Sequence, residues 1–443
     1  MTLTLRFSDM AKGSSLSSPS RVILFALLGA FIYKAELPRV TRLLGIWREN
    51  RSTVIANAND LHVFPDTIYC EDIHHHEPSG LLFTACEATE SLRYSWFPGL
   101  SHLNDPVAAS ESQGTIDVID PQSMTAKKLK FTNFDGAFIT HGIDVIDDPD
   151  QEKGKAVYIF AVNHVPSAAY VENENTKEPK ARSRIEVFHH VIGSDTARHV
   201  RSVWDPLITT PNDILAVSPT AFFVTNDHYY REGLMRLVED IFFGAKWTNT
   251  IYVEFSNSAD GASRNGRGAV NASVAISGVH NNNGLGHGPT PDQALVVSCV
   301  SGRLRVGDIS APKDGKGPKT ISLRETLEFD SLVDNPSWFR DPYAKPGQDF
   351  SGIVVPGLTS AASLLKTHND PNGQDGSVVW MVNRIGGKWQ KRVLFEDDSR
   401  RLRAASAAVL VAIDPKQEQG KRKAWLFVTG FLSKNTIAVK IDL

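Results

Sequence analysis

Apolar residues in this chain recur in short runs separated by Gly, Pro, Asn, Asp and Ser, almost to its end. Some runs are continuous, as at Leu81 to Ala85, Val157 to Val162, Ala294 to Val300 and Leu426 to Thr429. Others alternate, as in T-I-D-V-I-D from Thr115, R-I-E-V-F-H from Arg184 and T-I-A-V-K-I from Thr436. Period-two alternation predicts half-exposed strands and continuous runs predict buried ones. Ile251 to Glu254, Leu304 to Ile309, Val378 to Val382, Val393 to Phe395 and Ala408 to Ile413 complete the set. A buried inner strand followed by a half-exposed outer one is how a propeller blade reads. Such units recur about six times, near 67–135, 139–200, 206–256, 270–325, 333–395 and 405–443. The class is all-β, with a pair of β-sandwiches as the competing arrangement. One helix is predicted within 232–243, where Leu234, Leu237, Val238, Ile241 and Phe242 fall at helical spacing opposite Arg236, Glu239 and Asp240. It follows the Asn226-Asp227-His228 turn, which predicts a place over that end of the sheet, as a packing helix, a lid or a membrane-facing element. Asn257 to Gly268 reads as a surface loop.

Composition narrows the function. The 443 residues carry 22% charged side chains and a net charge of −3, which removes any electrostatic case for nucleic acid. Glycine fingerprints for nucleotides, a Walker loop and a G-x-S-x-G elbow are all absent from the sequence. Three cysteines, Cys70, Cys86 and Cys299, make neither a disulfide scaffold nor a zinc site. A hairpin turning at Pro78-Ser79 brings Cys70 nearly opposite Cys86, as a disulfide or as two packed thiols; Cys299 lies in an apolar strand. At the N-terminus, Arg6, Lys12 and Arg21 precede the apolar run Val22 to Tyr33, the pattern of a secretory signal rather than a comfortable membrane span. No small-x-small cleavage site follows it, so an uncleaved anchor stands beside a removed signal. The chain therefore divides into a signal or anchor segment (1–36), a polar linker and ring-closing region (37–66) and the β domain (67–443). Asn50-Arg51-Ser52 and Asn271-Ala272-Ser273 permit glycosylation in the secretory pathway.

The candidate chemistry sits where strands end. Asn212–Asp213 and Asn226–Asp227 frame one hairpin, and four oxygen-bearing side chains at the mouth of a β structure suit a hard cation such as calcium. Glu71-Asp72, His141-Gly142-Ile143, Val162-Asn163-His164 and Leu332-Val333-Asp334-Asn335 lie at comparable places. Any one of these is ordinary turn chemistry. His74-His75-His76 does not converge on a metal, because a strand sends neighbours to opposite faces. Glu71, Asp72 and Asp334 read as glycosidase acids lack any other sign of a sugar site.

Taken in order, these segments, with N-D-I at 212–214 and T-N-D-H-Y at 225–229, resemble the serum paraoxonase/arylesterase family from about residue 45 to 443. The resemblance implies a six-bladed β-propeller with two calcium ions in a central tunnel, and the short helix predicted above would then lie over the active-site face. It implies hydrolysis of lactones and aryl esters, with phosphotriesters as side substrates. The catalytic calcium would take Glu71, Asn212, Asn226, Asp334 and Asn335; the structural one, Asp72, Asp213 and the main-chain carbonyl of Ile143. His141 and His164 would activate water. The chain departs from the family's mammalian members in ending K-I-D-L, without their ring-closing cysteine. It also carries V-V-P-G-L-T at 354–359 where they have Cys-His-Pro. The expected partner is a small lactone or ester, with membrane association through residues 22–33 and the 232–243 helix. A strictosidine-synthase-like or gluconolactonase-like enzyme, or a non-catalytic, membrane-attached binding propeller, are the alternatives.

Overall fold

The computed structural model describes residues 37–87, 89–256, 270–312 and 317–443. The N-terminal segment with its apolar run 22–33, and the loop Asn257 to Gly268, lie outside them. Among the described residues, six sheets, five of four strands and one of five, follow one another along the chain, besides a two-stranded ribbon of Trp96–Phe97 and His102–Leu103. Their innermost strands are Asp72–His76, Thr140–Asp147, Pro211–Ser218, Asn282–His287, Ser337–Phe339 and Ala405–Ala412. These pack against one another around a common axis. The chain is a six-bladed β-propeller.

The second strand of a blade is the most apolar, because sheets from both neighbouring blades cover its faces. Ala221–Asn226 is buried throughout, as is Leu82 to Cys86. The third strands, such as Thr115–Asp120 and Thr436–Asp442, alternate or turn polar toward the rim. The continuous runs of the sequence are therefore mostly second strands rather than innermost ones. The innermost strands carry polar residues at or next to their starts and line the axis.

Three expectations are corrected. Val270–Val279 pairs with Thr248–Phe255 as the outer strand of blade 3, so blade 4 opens at Asn282 rather than near 270. Residues 37–44, read as linker, are helical, and Val40, Leu43 and Leu44 face the cavity described below. Several short helices accompany the 232–243 element, itself found at Leu234–Ile241. Closure of the ring is by strand pairing: Leu61 lies opposite Val439 and Phe64 opposite Thr436, completing blade 6 from the N-terminal side. Both glycosylation acceptors, Asn50 and Asn271, are exposed.

Cys70 and Cys86 form a disulfide across the first hairpin, with Cα atoms 4.0 Å apart and 16 residues between them in sequence. Cys299 is a buried free thiol. Closing so short a loop stabilises by about 3 kcal/mol in the chain-entropy model. The Cys86→Ala variant is expected to lose about that much in urea unfolding; an unchanged midpoint would mean that the bond constrains nothing in the unfolded chain.

Candidate active site

Each innermost strand delivers its first residues to one end of the tunnel. Glu71 precedes the blade 1 strand, His141 opens blade 2, Asn212 blade 3 and Asn283 blade 4, at a spacing of about 70 residues. Asp334 and Asn335 stand just before blade 5. Room for this ring depends on glycine: a Cβ on Gly142 would lie 2.5 Å from the Asn212 carbonyl oxygen and 2.6 Å from Asp213 Oδ1.

The ring is tightly joined. Asn335 Nδ2 donates to both Glu71 carboxylate oxygens at 3.0 and 3.1 Å. His141 Nε2 lies 3.8 Å from Glu71 Oε1 and 3.2 Å from Asn212 Nδ2. The carbonyl or carboxylate oxygens Asn212 Oδ1, Asn283 Oδ1, Asp334 Oδ1 and Asn335 Oδ1 are buried without a hydrogen-bond partner. Buried polar atoms are nearly always paired, so four orphaned acceptors in one ring call for a cation. The acids say the same. Burial, reinforced by Asp334, Asp72 and Asp213, holds the Glu71 carboxyl well above the ordinary range. Burial and then Asp72 do likewise to Asp334 and to Asp213. A divalent ion would remove that mutual repulsion, and the all-oxygen set of two carboxylates and three amides suits calcium.

One expected ligand does not belong. Asn226 ends the second strand of blade 3, one layer out from the axis, and its side chain is spent there. Its Oδ1 accepts from the Thr209 and Thr210 amides at 2.8 and 3.0 Å, and its Nδ2 donates to the Leu207 carbonyl and Asn249 Oδ1. Asn283 takes its place in the ring. Asn163 shows why: at the same position of blade 2 its Oδ1 accepts from the Ile139 amide at 2.9 Å. In both blades this asparagine ties down the inter-blade loop, and the next residue, His164 or Asp227, turns inward.

His141 and His164 are paired, Nδ1 to Nε2 at 2.7 Å, and His164 Nδ1 lies 2.8 Å from Ser183 Oγ. Because Asn212 Nδ2 is a donor, His141 Nε2 is the acceptor; its Nδ1–H then donates to His164, whose Nδ1–H donates to Ser183. Burial, with His164 and the Arg93 and Arg236 cations nearby, holds His141 well below the usual imidazole range. Burial holds His164 at about 3. Both rings are neutral at neutral pH. Phe97 packs on His141 with centroids 4.8 Å apart, and the Arg93 guanidinium lies over the Phe97 ring, 3.8 Å from its centroid.

Above the ring is a cavity of about 470 Å³, walled by Val40, Leu43, Leu100, Leu332, Leu364 and Phe431 among others. His368, which the sequence reading passed over, also reaches it and stacks on His102 with centroids 5.3 Å apart. It follows a helix of blade 5, so a histidine does border the pocket from that blade, although none stands in 354–359. The helix Leu234–Ile241 flanks the mouth in an unexpected orientation. Its polar side is buried: Arg236 donates to the Gly99 carbonyl at 2.6 Å, and the amides of Tyr229 and Tyr230 donate to Glu239. Leu234 is 76% exposed and Ile241 60%.

Deeper in the tunnel, Asp72 Oδ2 accepts from the Ile143 amide at 3.0 Å, and Asp213 Oδ2 accepts from the Leu285 amide at 2.6 Å. Asp72, Asp213 and Ile143 are thus brought together. Of the three consecutive histidines only His74 joins them; His76 bonds Ser79 and Asp147 instead.

This architecture defines a propeller whose axis carries a cation-seeking acidic ring beside a neutral histidine pair. An arylesterase family model matches residues 96–264. The chain is 25% identical to serum paraoxonase/arylesterase 2 of Gallus gallus over 70% of its own length and 71% of that protein's. Against the Homo sapiens enzyme of the same name it is 25% identical, covering 65% and 68%. Against human serum paraoxonase/arylesterase 1 it is 26% identical, covering 58% and 60%. The chain is thus similar to the serum paraoxonase/arylesterase family over most of its length. Among solved structures, the periplasmic gluconolactonase of Pseudomonas aeruginosa matches at 12% identity and a TM-score of 0.38, covering 88% of this chain and 87% of that one.

Proposed function

We propose that this chain is a calcium-dependent hydrolase of lactones and aryl esters, with phosphotriesters as side substrates. The observation that supports it most is the ring of unpaired buried oxygens set beside His141 at the floor of an apolar cavity. Bound by Glu71, Asn212, Asn283, Asp334 and Asn335, calcium would supply a Lewis acid for a substrate carbonyl and for the charge that develops on its oxygen. A second, structural ion would sit between Asp72 and Asp213. His141 Nε2, facing Glu71 and Asn212, takes the proton of the attacking water. His164 accepts the His141 Nδ1–H and so keeps that nitrogen pair in the right tautomer. The apolar walls receive the acyl portion and thin out competing water, which strengthens every polar contact at the floor.

The disulfide agrees with a secretory compartment, reached through residues 1–36 as signal or anchor. Among the described residues no helix is long and apolar enough to cross a membrane. The outward Leu234, Leu237, Ile241 and Phe242 support association with a membrane surface at the cavity mouth.

The test is a panel of lactones with phenyl acetate, assayed before and after chelation and after calcium is restored. Hydrolysis that disappears with chelator and returns with calcium is expected. Undiminished turnover in chelator, or none on any member of the panel, would overturn the reading.

A further inference from the structure

We propose that the deep tunnel site is a mixed nitrogen–oxygen metal site, in which His74 Nε2 joins Asp72 and Asp213 to hold a transition ion such as zinc. The inference rests on the preceding reading only in placing an ion between the two aspartates; it changes the ligand set and the kind of ion. One oxygen of each carboxylate and one ring nitrogen of His74 lie within 4.8 Å of one another. Bonds of about 2.0–2.2 Å from a shared zinc ion span such a cluster after small side-chain adjustments.

The orientation of His74 carries the argument further. Its Nε2 points at Asp72 Oδ2, 3.2 Å away, while its Nδ1 lies 3.1 Å from Asp144 Oδ1. Asp144 is itself immobilised: Oδ1 accepts from the Val145 amide at 2.8 Å, and Oδ2 from the Ala216 amide at 2.6 Å and from His287 Nε2 at 2.7 Å. A carboxylate bonded to the far nitrogen of a histidine is the support that metal-bound imidazoles characteristically have, since it fixes the tautomer and aims the other lone pair. Both aspartates are also anchored by backbone amides, which leaves each oxygen a further lone pair for an ion. Calcium prefers six to eight oxygens, whereas imidazole with carboxylate suits zinc and its neighbours. The site has its own approach. A cavity of about 650 Å³ at the opposite end of the tunnel is bordered by His74, His287 and Asp147.

The test is the metal content of the full chain, purified in the presence of both calcium and zinc and then dialysed, together with the visible spectrum of the protein loaded with cobalt(II). Expected are one retained transition ion per chain and ligand-field bands with cobalt. Both should be lost in His74→Gln, and Asp144→Asn should weaken cobalt affinity by about 10–100-fold. Calcium alone in the wild-type protein without cobalt bands, or an ion-free deep site whose charge the His74 proton balances, would overturn the proposal. So would His74→Gln retaining the transition ion. If His74→Gln does not fold, the wild-type spectrum and Asp144→Asn still decide. None of these measurements reads hydrolysis, so a failed activity assay and a failed metal assignment remain separable.

Discussion

Asn283→Ala is expected to lose about 10²–10³-fold in lactone hydrolysis while unfolding at the wild-type midpoint, the scale on which removing one preorganised electrostatic group lowers turnover. Its Oδ1 is buried and unpaired, so truncation removes an acceptor that serves no fold interaction. Asn226→Ala is expected to behave in the opposite way. It breaks four hydrogen bonds that hold the Leu207 to Thr210 turn and the neighbouring strand, two of them from backbone amides left buried. At about 1 kcal/mol each, with an added cost for the orphaned amides, the loss is roughly 3–5 kcal/mol of stability. Calcium affinity of the fraction that remains folded should be unchanged. The pair is decided by urea unfolding alongside calcium titration of each variant. A folded, fully active Asn283→Ala protein would remove Asn283 from the ring, and an Asn226→Ala protein that stays stable but loses calcium would restore Asn226 to it.

That exchange of one asparagine for another shows what the chain made legible. The strand pattern was readable because second strands are covered on both faces and must be apolar throughout, as Ala221 to Val224 is. Glu71, His141, Asn212 and the Asp334–Asn335 pair were readable as polar residues at strand starts. Asn283 was not, because it lies in an Asn-Asn-Asn-Gly run that looks like a turn. A signal was present all the same. E-D-I, H-G-I, N-D-I and N-G-L recur about 70 residues apart, each beginning an innermost strand, and continuing the series from Asn212 reaches Asn283. Asn163 in V-N-H and Asn226 in T-N-D each end the second strand of their blade, which marks both as loop ties. The orientation of the helix Leu234–Ile241 was beyond any periodicity. A stripe of apolar residues specifies a face but not which way it points. Here the backbone partners of Arg236 and Glu239 decide, and those come from residues 99 and 229–230. His368 escaped because it belongs to a helical insertion outside the strand pattern, and only folding brings it to His102.

His141→Gln is expected to lower lactone hydrolysis by about 10²–10⁴-fold, the usual contribution of a general base. Glutamine keeps the length and a donor but has no basic nitrogen, so calcium affinity and the unfolding midpoint should stay near wild type. The relay behind His141 predicts a gradation. His164→Asn leaves the base in place but removes the acceptor for its Nδ1–H, and is expected to cost less than His141→Gln. Ser183→Ala removes only the hydroxyl 2.8 Å from His164 Nδ1 and is expected to cost least of the three. The pH profile separates this order from mere loss of packing. With burial holding His164 at about 3 and His141 well below its ordinary value, the wild-type imidazole stays unprotonated as pH falls from neutral. Its acid limb should therefore lie below the ordinary imidazole pKa of about 6.5. Burial is the main cause that holds His141 low and the neighbouring His164 ring is the next, so removing His164 relieves part of that depression. The acid limb of His164→Asn should accordingly move upward toward the ordinary value. Full activity of His141→Gln across the profile would mean that another group takes the proton, and equal losses in all three variants would mean that the relay acts only as packing.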